Sequence, residues 1–181
     1  MEIFKHIYGF DYDTVVLSIN GKKAFCLDCN GLVILDITDT HNTVEIGKYG
    51  IDDIAKFMTV SDDEKKAYIT IDYAGLLIVD ISDQSNPVIL GSSAIIGSNW
   101  DIALSKCGTK AYVVNTINFT SGRESKLITV DISDASNPTK ICKQTIPRKN
   151  AHNIVLSKDG KRAFISCGKY LEVVDIEEEE V

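Results

Sequence analysis

LVILDI at 32–37, LLIVDI at 76–81, LITVDI at 127–132 and LEVVDI at 171–176 are four copies of one strand-like phrase. Their aspartates, Asp36, Asp80, Asp131 and Asp175, stand 44, 51 and 44 residues apart. A repeat near that period predicts stacked supersecondary units that bury their faces against one another. Each phrase is too continuously apolar for a strand with one wet face, so both faces are expected to be covered.

The rest of each unit falls into register on the aspartates. An apolar run ending in serine comes first: VVLS at 15–18, MTVS at 58–61, IALS at 102–105 and IVLS at 154–157. A polar turn then leads into a second short strand: NGKKAFC at 20–26, DEKKAYI at 63–69, CGTKAYV at 107–113 and DGKRAFI at 159–165. Asn20-Gly21 and Asp159-Gly160 supply the backbone freedom of a tight hairpin. After the aspartate comes a turn rich in Asp, Ser, Asn and Pro, at 36–42, 80–87 and 131–138, and then a fourth strand at 44–46, 88–90 and 139–141. Pro87 and Pro138 can open an outer strand without removing a central ladder bond.

Four antiparallel strands repeated about an axis are the blades of a β-propeller. The predicted fold is all-β: one domain over 1–181, with blades at 14–47, 57–91, 101–142 and 153–176. The fourth copy ends one strand short, and IFKHI at 3–7 is spaced from Ser18 much as each outer strand is spaced from the next blade's serine. Residues 2–7 are therefore expected to complete the last blade and close a four-bladed ring. Two other assemblies use the same strand offset: an eight-bladed ring of two chains, and a segment of a larger propeller.

The wording and spacing of these units resemble the LVIVD repeat family, most clearly in LLIVDISDQSNP at 76–87 and LITVDISDASNP at 127–138. The resemblance covers essentially the whole chain. It implies propeller blades and brings no family-wide catalytic set. The resemblance implies a surface or secreted protein, a pattern from which this chain departs in having few blades and no visible export signal.

Composition narrows the partners. A net charge of -7 disfavours general attraction to nucleic acid or anionic membranes. No run approaches the roughly 18 apolar residues of a spanning helix, so no transmembrane segment is expected. Five cysteines, an odd number set mostly in strand patterns, read as reduced thiols in a cytoplasmic protein.

Most repeated polar residues read as scaffold. The four phrase-ending aspartates, and Asp39, Asp83 and Asp134 after them, suit turn-organising acceptors. Lys23, Lys66, Lys110 and Arg162 recur on the hairpin rim, where they meet cross-strand aspartates or point into water. The Cys26-x-x-Cys29 pair has zinc spacing, with Cys167 as a distant third thiol, but no second pair accompanies it, and packing is the preferred role. No cofactor is expected.

The departures from symmetry carry the functional reading. Blade three has seven extra residues between Ala111 and Asp131, and the segment 143–152 leading into blade four is also longer. Both enlargements are expected on one face, where a rigid repeat frame presents binding loops. Five residues before the blade serines stand Asp13, Lys56, Trp100 and His152, an unlike ring at the channel mouth, followed by Thr14, Phe57, Asp101 and Asn153. Tyr73 and Phe119 are expected as its outer wall, with Arg123, Arg148 and Lys149 making the face locally basic.

The leading expectation is a non-catalytic scaffold or interaction module that binds a protein or peptide through this face: Asp13, Lys56, Tyr73, Trp100, Phe119, Arg123, Arg148, Lys149 and His152. The rival is a small-molecule enzyme with His152, Asp101 and Asn153 as its polar groups. It lacks a recognisable nucleophile-base arrangement. A monomer and a homodimer completing an eight-bladed ring are both compatible with the repeats.

Overall fold

The computed structural model describes residues 14–120 and 122–176, and these contain strands and turns but no helix. β1 (Thr14–Leu17), β2 (Lys23–Asp28), β3 (Gly31–Asp36) and β4 (Val44–Gly50) make the first sheet. The second comprises β5 (Ala55–Val60), β6 (Lys66–Ile71), β7 (Gly75–Asp80) and β8 (Val88–Ala94). The third comprises β9 (Ser98–Leu104), β10 (Lys110–Phe119), β11 (Gly122–Asp131) and β12 (Thr139–Ile146). The fourth has β13 (Ala151–Leu156), β14 (Arg162–Cys167) and β15 (Tyr170–Asp175). Every pairing is antiparallel between consecutive strands, as repeated hairpins dictate.

The repeated polar residues build the turns. Ser18, Ser61, Ser105 and Ser157 each accept, through Oγ, the backbone N–H that starts the next strand, from Lys23, Lys66, Lys110 and Arg162 at 2.9–3.0 Å. Three of these hydroxyls donate to the residue two places on: Asn20, Asp63 and Asp159. In the third sheet Cys107 occupies that place, and the Ser105 and Thr109 hydroxyls hold its thiol below the usual cysteine range. Asp36, Asp80 and Asp131 each accept a backbone N–H from the residue two further on, and Asp39, Asp83 and Asp134 repeat the bond in the following turn. These are the turn-organising acceptors expected from the sequence. The rim cations also stand directly opposite aspartates: Lys23 on Asp36, Lys66 on Asp80, Lys110 on Asp131 and Arg162 on Asp175.

The turns impose a pH dependence. Hydroxyl and backbone N–H donors hold the carboxyls of Asp36, Asp63, Asp80, Asp83, Asp131, Asp134 and Asp159 below their ordinary value of 3.8. A depressed folded value adds stability above the unfolded value, and that contribution disappears as pH falls through the folded one. Asp101 is the opposite case, raised by burial, and one such group does not offset seven. Thermal melts from pH 5 down to pH 2 are expected to show a falling midpoint. A midpoint that stays flat through this range would remove the carboxylates from the account of the turns.

Side chains alternate between the two faces of each sheet and lock neighbouring sheets together. Phe25, Leu27, Leu32 and Ile34 of the first sheet share a buried cluster with Ala67, Ile69, Ile71 and Val79 of the second. Tyr68, Leu76 and Ile78 do the same with Ala111, Val113, Ile128 and Val130, and Tyr112, Val114 and Leu127 with Ala163, Ile165, Cys167 and Val174. Each fully buried Leu, Ile or Phe contributes about 1.5–3 kcal/mol, so the stacking of sheets, not the single blade, carries the stability. Two glycines let the sheets approach: a methyl group at Gly47 would collide with the Gln84 carbonyl, and one at Gly91 with the Ala135 and Ser136 carbonyls of the next sheet.

The expected blades are therefore present and stacked in chain order, β1 on β5, β5 on β9 and β9 on β13. Among the described residues the series is open, and not the closed four-bladed ring expected from the sequence. The outward face of the fourth sheet leaves Val155, Leu171 and Val173 more than half exposed, and among the described residues no further sheet packs on it. Residues 2–7, expected as its fourth strand, lie outside the described residues, as does Asp13.

The enlargements also take an unexpected form. The extra residues of blade three are regular ladder and not loop: β10 and β11 pair without interruption from Lys110–Asp131 out to Phe119–Gly122. β12 follows them as far as Ile146, which pairs with Ser125, leaving only 147–150 as connection.

Candidate functional site

The turns between second and third strands and the links between sheets lie on one face, and hydrogen bonds knit them together. Ile51 N–H donates to the Asn30 carbonyl at 2.9 Å, Asp72 N–H to Ile54 at 2.8 Å, and Tyr73 N–H to Gly97 at 3.0 Å. Ser98 Oγ donates to Asp72 Oδ1 at 2.8 Å. Beneath them Asn99 is buried, its amide nitrogen donating to the carbonyls of Ile71, Ile95 and Gly97 and its oxygen accepting from Asn115 Nδ2 at 2.9 Å.

The predicted mouth ring is only partly a ring. Trp100 and His152 meet edge to face, with centroids 4.6 Å apart and an interplanar angle of 74°. The Lys56 ammonium lies 5.8 Å from the Trp100 centroid and 3.9 Å from Asp72 Oδ2. Trp100 is half-buried against the core between the third and fourth sheets, which fixes its orientation. Asp101 is directed elsewhere. Its Oδ1 accepts the Ile102 N–H at 2.8 Å and its Oδ2 the Ile154 N–H at 2.9 Å, so it ties β9 to β13. Burial raises its carboxyl above the usual range, while the N–H donors of Ile154 and Ile102 and the Asn153 amide pull it back. Thr14, at the same repeat position, ties the first sheet to the second through the Lys56 carbonyl. No hydrogen bond joins Asp101 to His152 among the described residues. Asn153 is exposed, and its N–H donates to Ser166 Oγ at 3.1 Å.

The basic residues do converge. Arg123, on the extended hairpin, donates through Nε to Asn118 Oδ1 at 2.9 Å and through a terminal nitrogen to Asn150 Oδ1 at 2.7 Å. That second bond fastens the hairpin to the 147–150 connection, where Asn150 holds a left-handed φ of 61°. Arg148 lies 4.1 Å from the Tyr170 ring centroid and 3.1 Å from Glu172 Oε1, and Lys169 approaches the same ring at 5.4 Å. Arg148, Lys149, Asn150, Lys169 and Tyr170 line a cleft of about 420 Å³. Phe119, at the hairpin tip, is half exposed. Tyr73 is exposed on the same face but belongs to the second sheet's turn, held with a φ of 59°.

Lys169 and Tyr170 were not expected from the sequence, since they occupy a turn of ordinary length; only their nearness to the lengthened 143–152 segment points to them. The thiols do not assemble. Cys26 is buried in the first sheet, Cys29 is exposed in its turn, and Cys167 is buried between the third and fourth sheets. Among the described residues no three His, Cys, Asp or Glu side chains are grouped to hold a metal ion, so the Cys26, Cys29 and Cys167 alternative has no common centre.

A model of the LVIVD repeat matches residues 13–50, 58–94 and 121–143, more than half of the sequence. The chain belongs to the LVIVD repeat family. No curated protein matches it. Solved structures similar to these LVIVD repeats include a putative 6-phosphogluconolactonase from Bacteroides uniformis, with a TM-score of 0.77 and 17% identity over 93% of this chain and 51% of that one. The periplasmic gluconolactonase PpgL of Pseudomonas aeruginosa aligns with a TM-score of 0.75 and 12% identity over 93% and 50%. The β-propeller domain of Myceliophteria thermophila Cps50 (Swd1) gives 0.75 and 10% over 93% and 55%. Likeness at such identities is a likeness of fold, and the LVIVD chain spans about half the length of these structures.

Proposed function

We propose that this LVIVD protein is a non-catalytic interaction module that holds an acidic peptide or protein segment on the rim formed by the β10–β11 hairpin and the 147–150 connection. The observation that carries this reading is the Arg123–Asn150 bond. It joins the two departures from repeat symmetry and gathers Arg123, Arg148, Lys149 and Lys169 beside Phe119 and Tyr170. A cationic rim on a chain of net charge -7 favours an anionic partner, and complementary charge of this kind sets specificity and on-rate more than raw affinity. The aromatic rings add apolar area to the same surface. Asp101 supports the non-catalytic side of the reading, because both of its oxygens are committed to backbone N–H groups. A cytoplasmic setting belongs to the same proposal and is supported by five free cysteines.

The test is binding of fluorescent Glu-rich and Lys-rich peptides of equal length to the full chain. The Glu-rich peptide is expected to bind, with affinity falling as salt rises because exposed charges are screened within about 10 Å at 0.1 M salt. Arg148→Glu with Lys149→Glu is expected to weaken it about tenfold or more, and Phe119→Ala several-fold. Equal binding of both peptides, or no change in the variants, would defeat the proposal.

A further inference from the structure

The cleft between the 147–150 connection and the turn joining β14 to β15 is walled by hydrogen-bond donors. Arg148, Lys149, Asn150, Lys169 and Tyr170 surround a space of about 420 Å³. Among the described residues neither Lys149 nor Lys169 forms an ion pair with a carboxylate. Asn150 accepts Arg123 through Oδ1, which leaves its amide N–H groups for a ligand.

Arg148 is already held on two sides. Its Nε donates to Glu172 Oε1 at 3.1 Å, and its guanidinium carbon lies 4.1 Å from the Tyr170 ring centroid. The two terminal nitrogens remain, and together they form the planar fork that grips two oxygens of one ligand. Lys149 reaches across to the hairpin, where a β-carbon added at Gly122 would come within 3.3 Å of its Nζ. Lys169 approaches the same Tyr170 ring as Arg148, at 5.4 Å. Two like charges are thus gathered on one ring, an arrangement that a bound anion relieves. Glu172 neutralises one of the three cations, so the cleft keeps a surplus of two positive charges.

That concentration of charge selects among acidic groups. Carboxylates on one side of an extended segment stand about 7 Å apart, so a Glu-rich stretch brings them to the cleft singly. A phosphate monoester gathers a charge of about −1.5 to −2 and three acceptor oxygens in one group.

We infer that the cleft is a phosphate subsite that takes a phosphorylated side chain of the bound segment, with Arg148 as the fork and Lys149 and Lys169 as flanking charges. The inference rests on the acidic-segment reading and names the group which that segment carries.

Fluorescence anisotropy on the full chain tests it with one otherwise neutral peptide bearing phosphoserine, glutamate or serine at its centre, beside the Glu-rich peptide. The phosphoserine form is expected to bind about tenfold or more tighter than the glutamate form. Arg148→Lys keeps the charge but loses the fork and its place on Tyr170, and is expected to cut the phosphoserine advantage to about threefold or less. Arg148 is about half exposed, so the variant is expected to keep the circular dichroism of the parent. A phosphoserine form no tighter than the glutamate form overturns the inference and, if the Glu-rich peptide binds, leaves the acidic-segment reading standing. If the Glu-rich peptide also fails to bind, that reading falls as well. An advantage that Arg148→Lys leaves intact overturns the inference, because the phosphate then sits elsewhere. So does inorganic phosphate bound as tightly as the phosphoserine peptide, which would make the cleft a site for the free ion.

Discussion

Phe25→Ala is expected to lower the stability of the chain by about 3–5 kcal/mol, the range for deleting a buried aromatic ring from a packed core. Phe25 is fully buried in the junction between the first and second sheets, among Leu27, Ile34, Ile69 and Val79. These neighbours are strand residues with paired backbones, so they have little freedom to collapse into the space left behind. A loss of this size is a large part of the 5–15 kcal/mol typical of a folded domain. Urea unfolding followed by circular dichroism measures it. A change below about 1 kcal/mol would mean that the sheets do not rely on the junction between them.

Asn99→Ala is expected to cost about 2–4 kcal/mol by a different route. The side chain is buried and serves the carbonyls of Ile71, Ile95 and Gly97, while Asn115 donates to it. Alanine removes all of these bonds in a dry place; the Ile71 and Gly97 carbonyls keep the N–H groups of Ala74 and Tyr73, but the Ile95 carbonyl loses its Asn99 donor and Asn115 its acceptor, and each buried unsatisfied group costs about 1–3 kcal/mol. The total is smaller than the simple sum because members of one network are not independent. The Ile95 and Gly97 carbonyls belong to the link between sheets two and three, so the variant is also expected to speed amide exchange around 95–98. Stability within 0.5 kcal/mol of the parent, with exchange unchanged, would contradict the role given to Asn99.

The strands, their order and the turn chemistry were legible because they are local. Asp80 and Asp131 stand before serines whose N–H groups they accept, and the period of the phrase places Lys66 opposite Asp80 without any knowledge of the third dimension. Closure was not legible in the same way. The angle between sheets depends on packing between Phe25 and Ile69 or Tyr68 and Val113, and no periodicity along the chain encodes that angle.

The site divides along the same line. Arg123, Arg148, Lys149 and Phe119 stood out because they interrupt a repeat. Asp101 looked chemical from its place in a ring of unlike residues, yet the Ile154 N–H it accepts comes from a strand 53 residues away. Lys169 and Tyr170 sit in a turn of ordinary length, and only the folding of 147–150 beside it turns them into part of a cleft. The blade-three enlargement reads as loop in the sequence because its seven extra residues exceed the repeat; they lengthen both strands equally, and pairing across ten positions of β10 and β11 makes them ladder.

The central claim is that the enlarged rim is the binding surface. Amide hydrogen exchange of the full chain with and without the Glu-rich peptide tests it most directly. Added protection is predicted at 118–120 and 122–124, at 147–150 and at 168–170. Protection confined to the turns of the opposite face, at 38–42, 82–86 and 133–137, would contradict it.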